Sequence, residues 1–486
     1  MRTIFLPLLA ALTLAPALVA APPQPVMPAP AAPAFYAFAP TPPMGWNSWD
    51  CFGAGVTEDQ TLANAQYLHD HLLSHGFNIV TIDIQWYEPL AHTDRYRPNA
   101  ALEMDSSGRL LPAANRFPST KDSRSFKPIA DKLHAMGLKF GLHLLRGIPR
   151  QAVTQNVPIL GTTVHAADIA NKSDICRWNT DMYGVDMSKP GAQEYYDSVL
   201  ALMASWDIDF IKVDDLSAPT YHTAEVEAIR KAIDKTGRPI IFSTSPGATP
   251  LAQGPHVSTH ANIWRISDDF WDNWKSLKEQ FKRLDDWTPF RGPGHFPDAD
   301  MLPLANIRTW QGGGGGSNAW THFTHDEQRT LLTLWCIARS PLILGANLPR
   351  NDDFTLSLIT NDEVLAVDQH STNNHQVSRQ DDLIVWSADV PNSPDKYVAL
   401  FNAQEYPIDP NAPQPATQPA RGRQRPPATL PGKATDVSIS LQSLGLPSPV
   451  QVRDLWSHQK LLNATDTLST SLTPHQSALF RLTPIH

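Results

Sequence analysis

Cysteine is nearly absent from this chain: Cys51, Cys176 and Cys336 are its only three. So small and odd a number excludes a dense disulfide framework and leaves at least one free thiol; the three also lack the spacing of a metal site, so no structural zinc is expected. Positive charge is not in excess either. The formal net charge is −9, and without a basic stripe nucleic acid is not an expected partner. Past the first twenty residues no apolar run is long enough to span a membrane. The first predicted strand is not followed by a phosphate-binding glycine fingerprint. The Gly312–Gly316 run has no Lys-Ser or Lys-Thr pair behind it, so it reads as a flexible loop. No Ser/His/Asp set and no His–Glu–His cluster stands out, which leaves carboxylates as the chemistry-bearing groups.

What is present begins with MRTIFLPLLAALTLAPALVAAPP. One Arg, a short apolar stretch and small residues at Ala20 and Ala21 read as a secretory signal over residues 1–21. A secreted or periplasmic protein is therefore expected. No Cys follows the cleavage region, so no lipid anchor is expected. Residues 22–38 are Pro-rich and read as a tether. Hydrophobic residues make up 42% of the chain and Trp occurs 14 times; that suits a well-buried globular protein, and indole faces also stack on sugar rings.

From residue 39 to about 368 short apolar runs alternate with helical patterns. Strands are predicted at 43–49, 78–83, 139–145, 209–215, 239–243, 262–267, 289–294 and 341–344. The helix over 57–74 carries a Thr57/Gln60 capping box and a Gly76 stop. Further helices are marked by Phe126, Ile129 and Leu133, by a first-turn Pro190, by Val226 and Ile229, by Trp274 and Leu277, and by a Thr324/Glu327 box. Eight strand-then-helix units in about 330 residues is the count of a (β/α)8 TIM barrel. Residues 369–486 change character: short β-type runs at 383–387, 396–401, 437–439, 450–454 and 477–482 predict a C-terminal antiparallel β-sandwich. A Pro-rich, Arg-containing insert at 406–433 interrupts it.

The stretch DFIKVDDLS concentrates the chemistry. A buried strand holds Lys and Asp only if they are paired or open into a site. Asp214 and Asp215 point oppositely from an extended chain, so at most one faces a barrel axis. Barrel enzymes react where strands end at the C-terminal face. Here those ends bring Trp49, Asp83, His143 with Arg146, Lys212 with Asp214, Ser245, Arg265 with Asp269, Asp298 and Asp300. Several carboxylates among Lys, Arg and Trp suit glycoside hydrolysis, which needs one ionised carboxylate and one protonated carboxyl.

PPMGWNSW, DFIKVDD, WRISDDFWDNW, PDADML and LWCIARSPLILGANL together resemble glycoside hydrolase family 27, which holds α-galactosidases and α-N-acetylgalactosaminidases. The resemblance runs from about Pro42 to Gln369 and implies a retaining exo-glycosidase that acts on terminal α-galactosyl residues without cofactor or metal. It implies an oligosaccharide or polysaccharide substrate, Asp214 as nucleophile, and Asp269, four residues after the sixth-strand Arg, as acid/base. Trp49, Asp83, Lys212, Arg265 and Asp300 are implied as pocket residues. Three departures bear on the sugar. Ile84 stands where α-galactosidases carry a second Asp, His143 replaces a Tyr, and Ser245 replaces a Glu. Leu216 also replaces a Cys that often forms a disulfide beside the nucleophile. Sugar-contacting roles are accordingly also expected for Ile84, His143, Arg146 and Ser245, and the alternative reading is a β-L-arabinopyranosidase, since that sugar lacks the C6 hydroxymethyl, or another α-glycoside-directed member of the same family. A catalytically silent carbohydrate-binding protein is the non-enzyme alternative.

Overall fold

The computed structural model describes residues 32–93, 95–309, 319–407 and 432–485. The signal segment, most of the tether, the Gly312–Gly316 run and most of the 406–433 insert fall outside the described residues.

Eight parallel strands form the N-terminal portion: β1 (Met44–Asn47), β2 (Ile79–Ile82), β3 (Lys139–Leu145), β4 (Phe210–Asp214), β5 (Ile241–Thr244), β6 (Ile263–Arg265), β7 (Phe296–Asp298) and β8 (Leu342–Leu344). They lie in the order β7-β6-β5-β4-β3-β2-β1-β8. The seam between the two end strands is bridged by Leu302, whose N–H donates to the Ile343 carbonyl at 2.8 Å and whose carbonyl accepts from Gly345 N–H at 3.1 Å. The result is a (β/α)8 barrel. Its shell holds α1 (Glu58–His71), α2 (Lys127–Ala135), α3 (Ala192–Ser205), α4 (Thr223–Thr236), α5 (Gly254–Ser258), α6 (Trp274–Trp287), α7 (His325–Ala338), α8 (Asp353–Ile359) and α9 (Asp362–His370). The capping boxes at Thr57/Gln60 and Thr324/Glu327 both form, tying up amide hydrogens that a helix start leaves unpaired.

Strand parity sets what the barrel axis sees. Ile79, Phe210, Ile241 and Ile263 form an apolar floor closed by Phe38 and Ala39. Two residues further along each strand come Thr81, Lys212, Ser243 and Arg265, and two further again Asp83, Asp214 and Ser245. Gly141 belongs to the axial set of β3: a Cβ there would stand 2.5 Å from Thr81 Oγ1. An apolar base with a polar top is what places charge only at the open end.

The seventh strand is Phe296–Asp298, not 289–294. Pro289 lies in a 3-10 turn (Thr288–Phe290), and the chain then reverses between Gly292 and His295. A three-residue strand with Pro297 at its centre leaves no apolar run to detect. Pro297 donates no hydrogen bond, which suits the barrel seam, where Leu302 supplies the pairing. Pro190 also misses the helix it was expected to open: α3 starts at Ala192 after Gly191, whose φ is 90°. The stretch from 147 to 187, between β3 and α3, contains a three-stranded antiparallel sheet built from Ile148–Pro149, Ala170–Ile175 and Met182–Val185.

The C-terminal strands are β9 (Thr372–Gln380), β10 (Leu383–Asp389), β11 (Lys396–Asn402), β12 (Thr435–Ser440), β13 (Val450–Asp454), β14 (Thr467–Leu472) and β15 (Ser477–Pro484). They make a five-stranded sheet, β9-β10-β11-β15-β13, and a β12-β14 pair. Alternation on β11 shows how the sandwich is held. Val398 and Leu400 join the core between the two sheets, whereas Tyr397, Ala399 and Phe401 join the barrel core. Phe401 meets Phe281 of α6 edge-on at 4.9 Å between ring centres. Truncating such a buried aromatic costs about 3–5 kcal/mol, so the sandwich is anchored on the barrel by packing.

Candidate active site

A cavity of about 820 Å³ opens at the C-terminal mouth of the barrel. Of the residues expected to form a site, Trp49, Asp83, Ile84, Lys212, Asp214, Arg265, Asp269 and Asp300 line it. His143 and Ser245 do not, but both stand directly behind it. His143 is fully buried, with Nε2 2.9 Å from Asp214 Oδ2. Ser245 is buried with its hydroxyl 3.5 Å from Arg265.

Arg146 is the correction. Parity turns Gly141 and His143 of β3 toward the axis and Arg146 away from it. Its guanidinium, itself buried, contacts Asp215 at 2.8 Å, Asp174 at 2.9 Å and Glu225 at 2.7 Å. Three carboxylates saturate its donors, so it has none left for a sugar. Asp215, at φ 65°, faces that same outward network. The two adjacent aspartates thus part company, and Asp214 alone looks into the barrel.

Charge on the axial side is arranged in two groups. Lys212 Nζ stands 2.9 Å from Asp83 Oδ2 and 3.8 Å from Asp214 Oδ1, and Asn47 donates a further hydrogen bond to Asp83 at 2.7 Å. Burial alone would raise the Asp214 pKa, but Lys212 and His143 outweigh it and hold the carboxyl well below the usual carboxylate range. Asp83, His143 and Asp214 bring their ligand atoms within 4.8 Å of one another, yet the Lys212 ammonium already occupies the cationic position among them. On the other side Arg265 pairs with Asp300 at 2.7 Å and Asp269 at 3.3 Å. Asp300 is anchored by the Phe270 and Met301 amides, 2.8 Å each. Asp298, beneath it, is pushed up to about 7 by burial and by the Asp300 charge. The Asp269 side chain is 59% exposed, at the mouth where a leaving group and solvent both reach it.

Several cavity residues escaped the sequence reading. Tyr96 stacks on Trp49 (5.9 Å, 17°) and meets Trp178 at 5.3 Å, so two loops far apart in the chain build one aromatic wall. Burial and the Asp214 and Asp83 charges raise the Tyr96 pKa well above its ordinary value, which keeps it a donor. No spacing signal in the sequence ties Trp178 to Trp49. Asp50 lines the cavity too. It is buried, its Oδ2 has no partner among the described residues, and it presses against Gly345, where a Cβ would stand 2.2 Å away. Burial, then Asp300 and Asp269, raise its pKa well above the carboxylate range. All three cysteines are free and buried.

Residues 179–370 match the family described as alpha galactosidase A, and residues 380–482 match its C-terminal beta sandwich domain. An α-galactosidase of Oryza sativa subsp. japonica is 27% identical over 452 residues, 91% of this chain and 85% of its own. An α-N-acetylgalactosaminidase of Gallus gallus is 26% identical over 350 residues, covering 68% of this chain and 70% of its own. Among solved structures, a family 27 β-L-arabinopyranosidase of Geobacillus stearothermophilus in complex with arabinose is 48% identical with a TM-score of 0.86, covering 94% of this chain and 100% of that one.

Proposed function

Because the chain belongs to glycoside hydrolase family 27, we propose that it is a retaining exo-glycosidase for galactose-configured terminal sugars, with β-L-arabinopyranosides its preferred substrates. Asp214 is the nucleophile. Its carboxylate oxygen attacks the anomeric carbon as the bond to the leaving oxygen breaks, and the Asp269 carboxyl gives that oxygen a proton. The product is a glycosyl ester on Asp214. Water then attacks the same carbon, Asp269 takes its proton, and Asp214 leaves as carboxylate. Lys212 and His143 support the first half by keeping Asp214 ionised inside a buried site.

Ile84 carries the sugar assignment. It is 1% exposed and lines the cavity beside Asp83, so the wall offers an apolar surface where a carboxylate would accept a bond from a C6 hydroxyl. A site with a buried polar partner strongly rejects a sugar lacking the matching hydroxyl, whereas an apolar wall discriminates by only about 1–3 kcal/mol. The 48% identical arabinopyranosidase supports the same reading. The second reading, α-galactosidase, is favoured by the relatives at 27% identity. The test is kcat/KM on matched nitrophenyl β-L-arabinopyranoside and α-galactoside. Wild type should prefer the pentoside, and Ile84→Asp should shift the ratio toward the galactoside by roughly tenfold. An unchanged ratio would remove residue 84 from sugar choice. Residues 1–21 support export of the enzyme to meet oligosaccharide or polysaccharide substrates outside the cytoplasm; N-terminal sequencing of the exported form checks this.

A further inference from the structure

Three clusters among the described residues bring three metal-ligating side chains together with all ligand atoms within 4.8 Å: Asp83/His143/Asp214, Asp174/His222/Glu225 and Glu227/His256/His260. The first two already hold an internal cation, Lys212 in one and Arg146 in the other. The third holds none: Glu227 pairs with no Lys or Arg among the described residues, only with His256, whose Nε2 lies 3.2 Å from Oε1. We propose that Glu227, His256 and His260 form a binding site for a divalent transition ion of the zinc class, outside the sugar cavity.

The orientation of the rings carries the assignment. His260 Nδ1 faces the His256 backbone carbonyl at 2.8 Å. A carbonyl only accepts, so Nδ1 bears the hydrogen and Nε2 is left with a bare lone pair in the neutral ring. His256 Nδ1 lies 2.7 Å from the Tyr221 hydroxyl. A hydroxyl both donates and accepts, so His256 can present Nε2 with a hydrogen toward Glu227 or as a lone pair toward a metal. A backbone carbonyl and a hydroxyl behind the far nitrogens are the supports that ligating histidines use. Two imidazoles and a carboxylate are also a zinc donor set. The rings stack 4.1 Å apart. A tetrahedral ion with bonds of about 2.0–2.2 Å holds its ligand atoms roughly 3.3–3.6 Å apart; here they lie within 4.8 Å of one another, so the near-parallel rings must tilt until their lone pairs converge on the ion. Glu227 is 55% exposed on its side chain and His256 20%, which leaves an entry path and room for water as the remaining ligand.

The ion would tie α4 to the segment around α5. Their preceding loops, with Ala218-Pro219 on one and Pro246-Gly247-Ala248 on the other, line one side of the sugar cavity. The two loops touch: a Cβ on Gly247 would stand 2.8 Å from Ala218 Cβ. Metal binding there is a brace on a cavity wall, with no part in the chemical step.

The test uses the full chain without a histidine tag, dialysed against chelator and titrated with ZnCl2 by calorimetry and by thermal unfolding. One equivalent should bind, and Tm should rise with zinc concentration, because the ion binds the native state. His260→Ala and His256→Ala should abolish both effects, and Tyr221→Phe should weaken binding about 10–100-fold. All three variants should hydrolyse a nitrophenyl glycoside at the wild-type rate without metal, which certifies their fold. No zinc-dependent Tm shift in wild type, or a shift that persists in His260→Ala, would overturn the proposal.

Discussion

Two ion networks lie back to back on β3 and β4, each built of carboxylates around one long cationic side chain. On the axial side Lys212 serves Asp83 and Asp214, with His143 behind; on the outer side Arg146 serves Asp215, Asp174 and Glu225. The inner network opens on the 820 Å³ cavity; the outer one has every Arg146 donor engaged. A charged group performs chemistry when its pairing is incomplete and a cavity adjoins it. The same group becomes a structural tie when its partners close around it.

Substitutions on either side separate the two networks. Asp214→Asn should lower kcat by on the order of 10⁴-fold or more while thermal unfolding stays near wild type, because an amide keeps the shape but forms no glycosyl ester. Near-normal turnover of an activated aryl glycoside would move the nucleophile to Asp215 and erase the contrast. Asp269→Ala should cost about 10²–10⁴-fold on substrates with poor leaving groups. Activated substrates should suffer less, with added azide restoring turnover by attacking the ester without base help. Equal loss on both, without rescue, would point to Asp268.

Arg146→Ala reverses the pattern. It strands three buried or half-buried carboxylates, so stability in urea should fall by about 3–5 kcal/mol. kcat/KM of the folded fraction should hold within a few fold. A large loss of kcat at unchanged stability would show that Arg146 works on substrate. The smallest effect concerns Asp298, which pairs in register with Arg265. Asp298 titrates at about 7 when folded and at about 3.9 when unfolded. Between those values the native state binds more protons, so this group makes stability fall as pH rises from about 4 to 7, by up to a few kcal/mol. Asp298→Asn should flatten that part of the stability–pH curve; an unchanged slope would place the titration elsewhere.

Where local pattern and tertiary demand agree, the chain was legible. β3 runs from Lys139 to Leu145 as its apolar run predicts, and both capping boxes stand at their helix starts. Legibility failed where packing removes the pattern. β9 (TNNHQVSRQ) is an exposed edge strand with irregular register, so it needs few apolar residues and shows none of the expected alternation. β14 buries only Leu468 and Leu472. Arg146 misled because it follows His143 closely in sequence, and only the pleat reveals that the two face opposite sides.

The sequence by itself determined the barrel, the sandwich after it and which strand ends carry charge, because periodicity and capping are properties of neighbouring residues. It also carried Ile84 beside Asp83 as the mark of an unusual pocket. Only the tertiary structure decided which charges share a cavity. Tyr96 and Trp178 meet across separate loops, Asp50 sits against Gly345 from the other end of the barrel sequence, and Glu227 finds His256 on a neighbouring helix. Those contacts depend on how whole elements pack, and packing is set by the sum of many weak apolar burials that no short stretch of sequence contains.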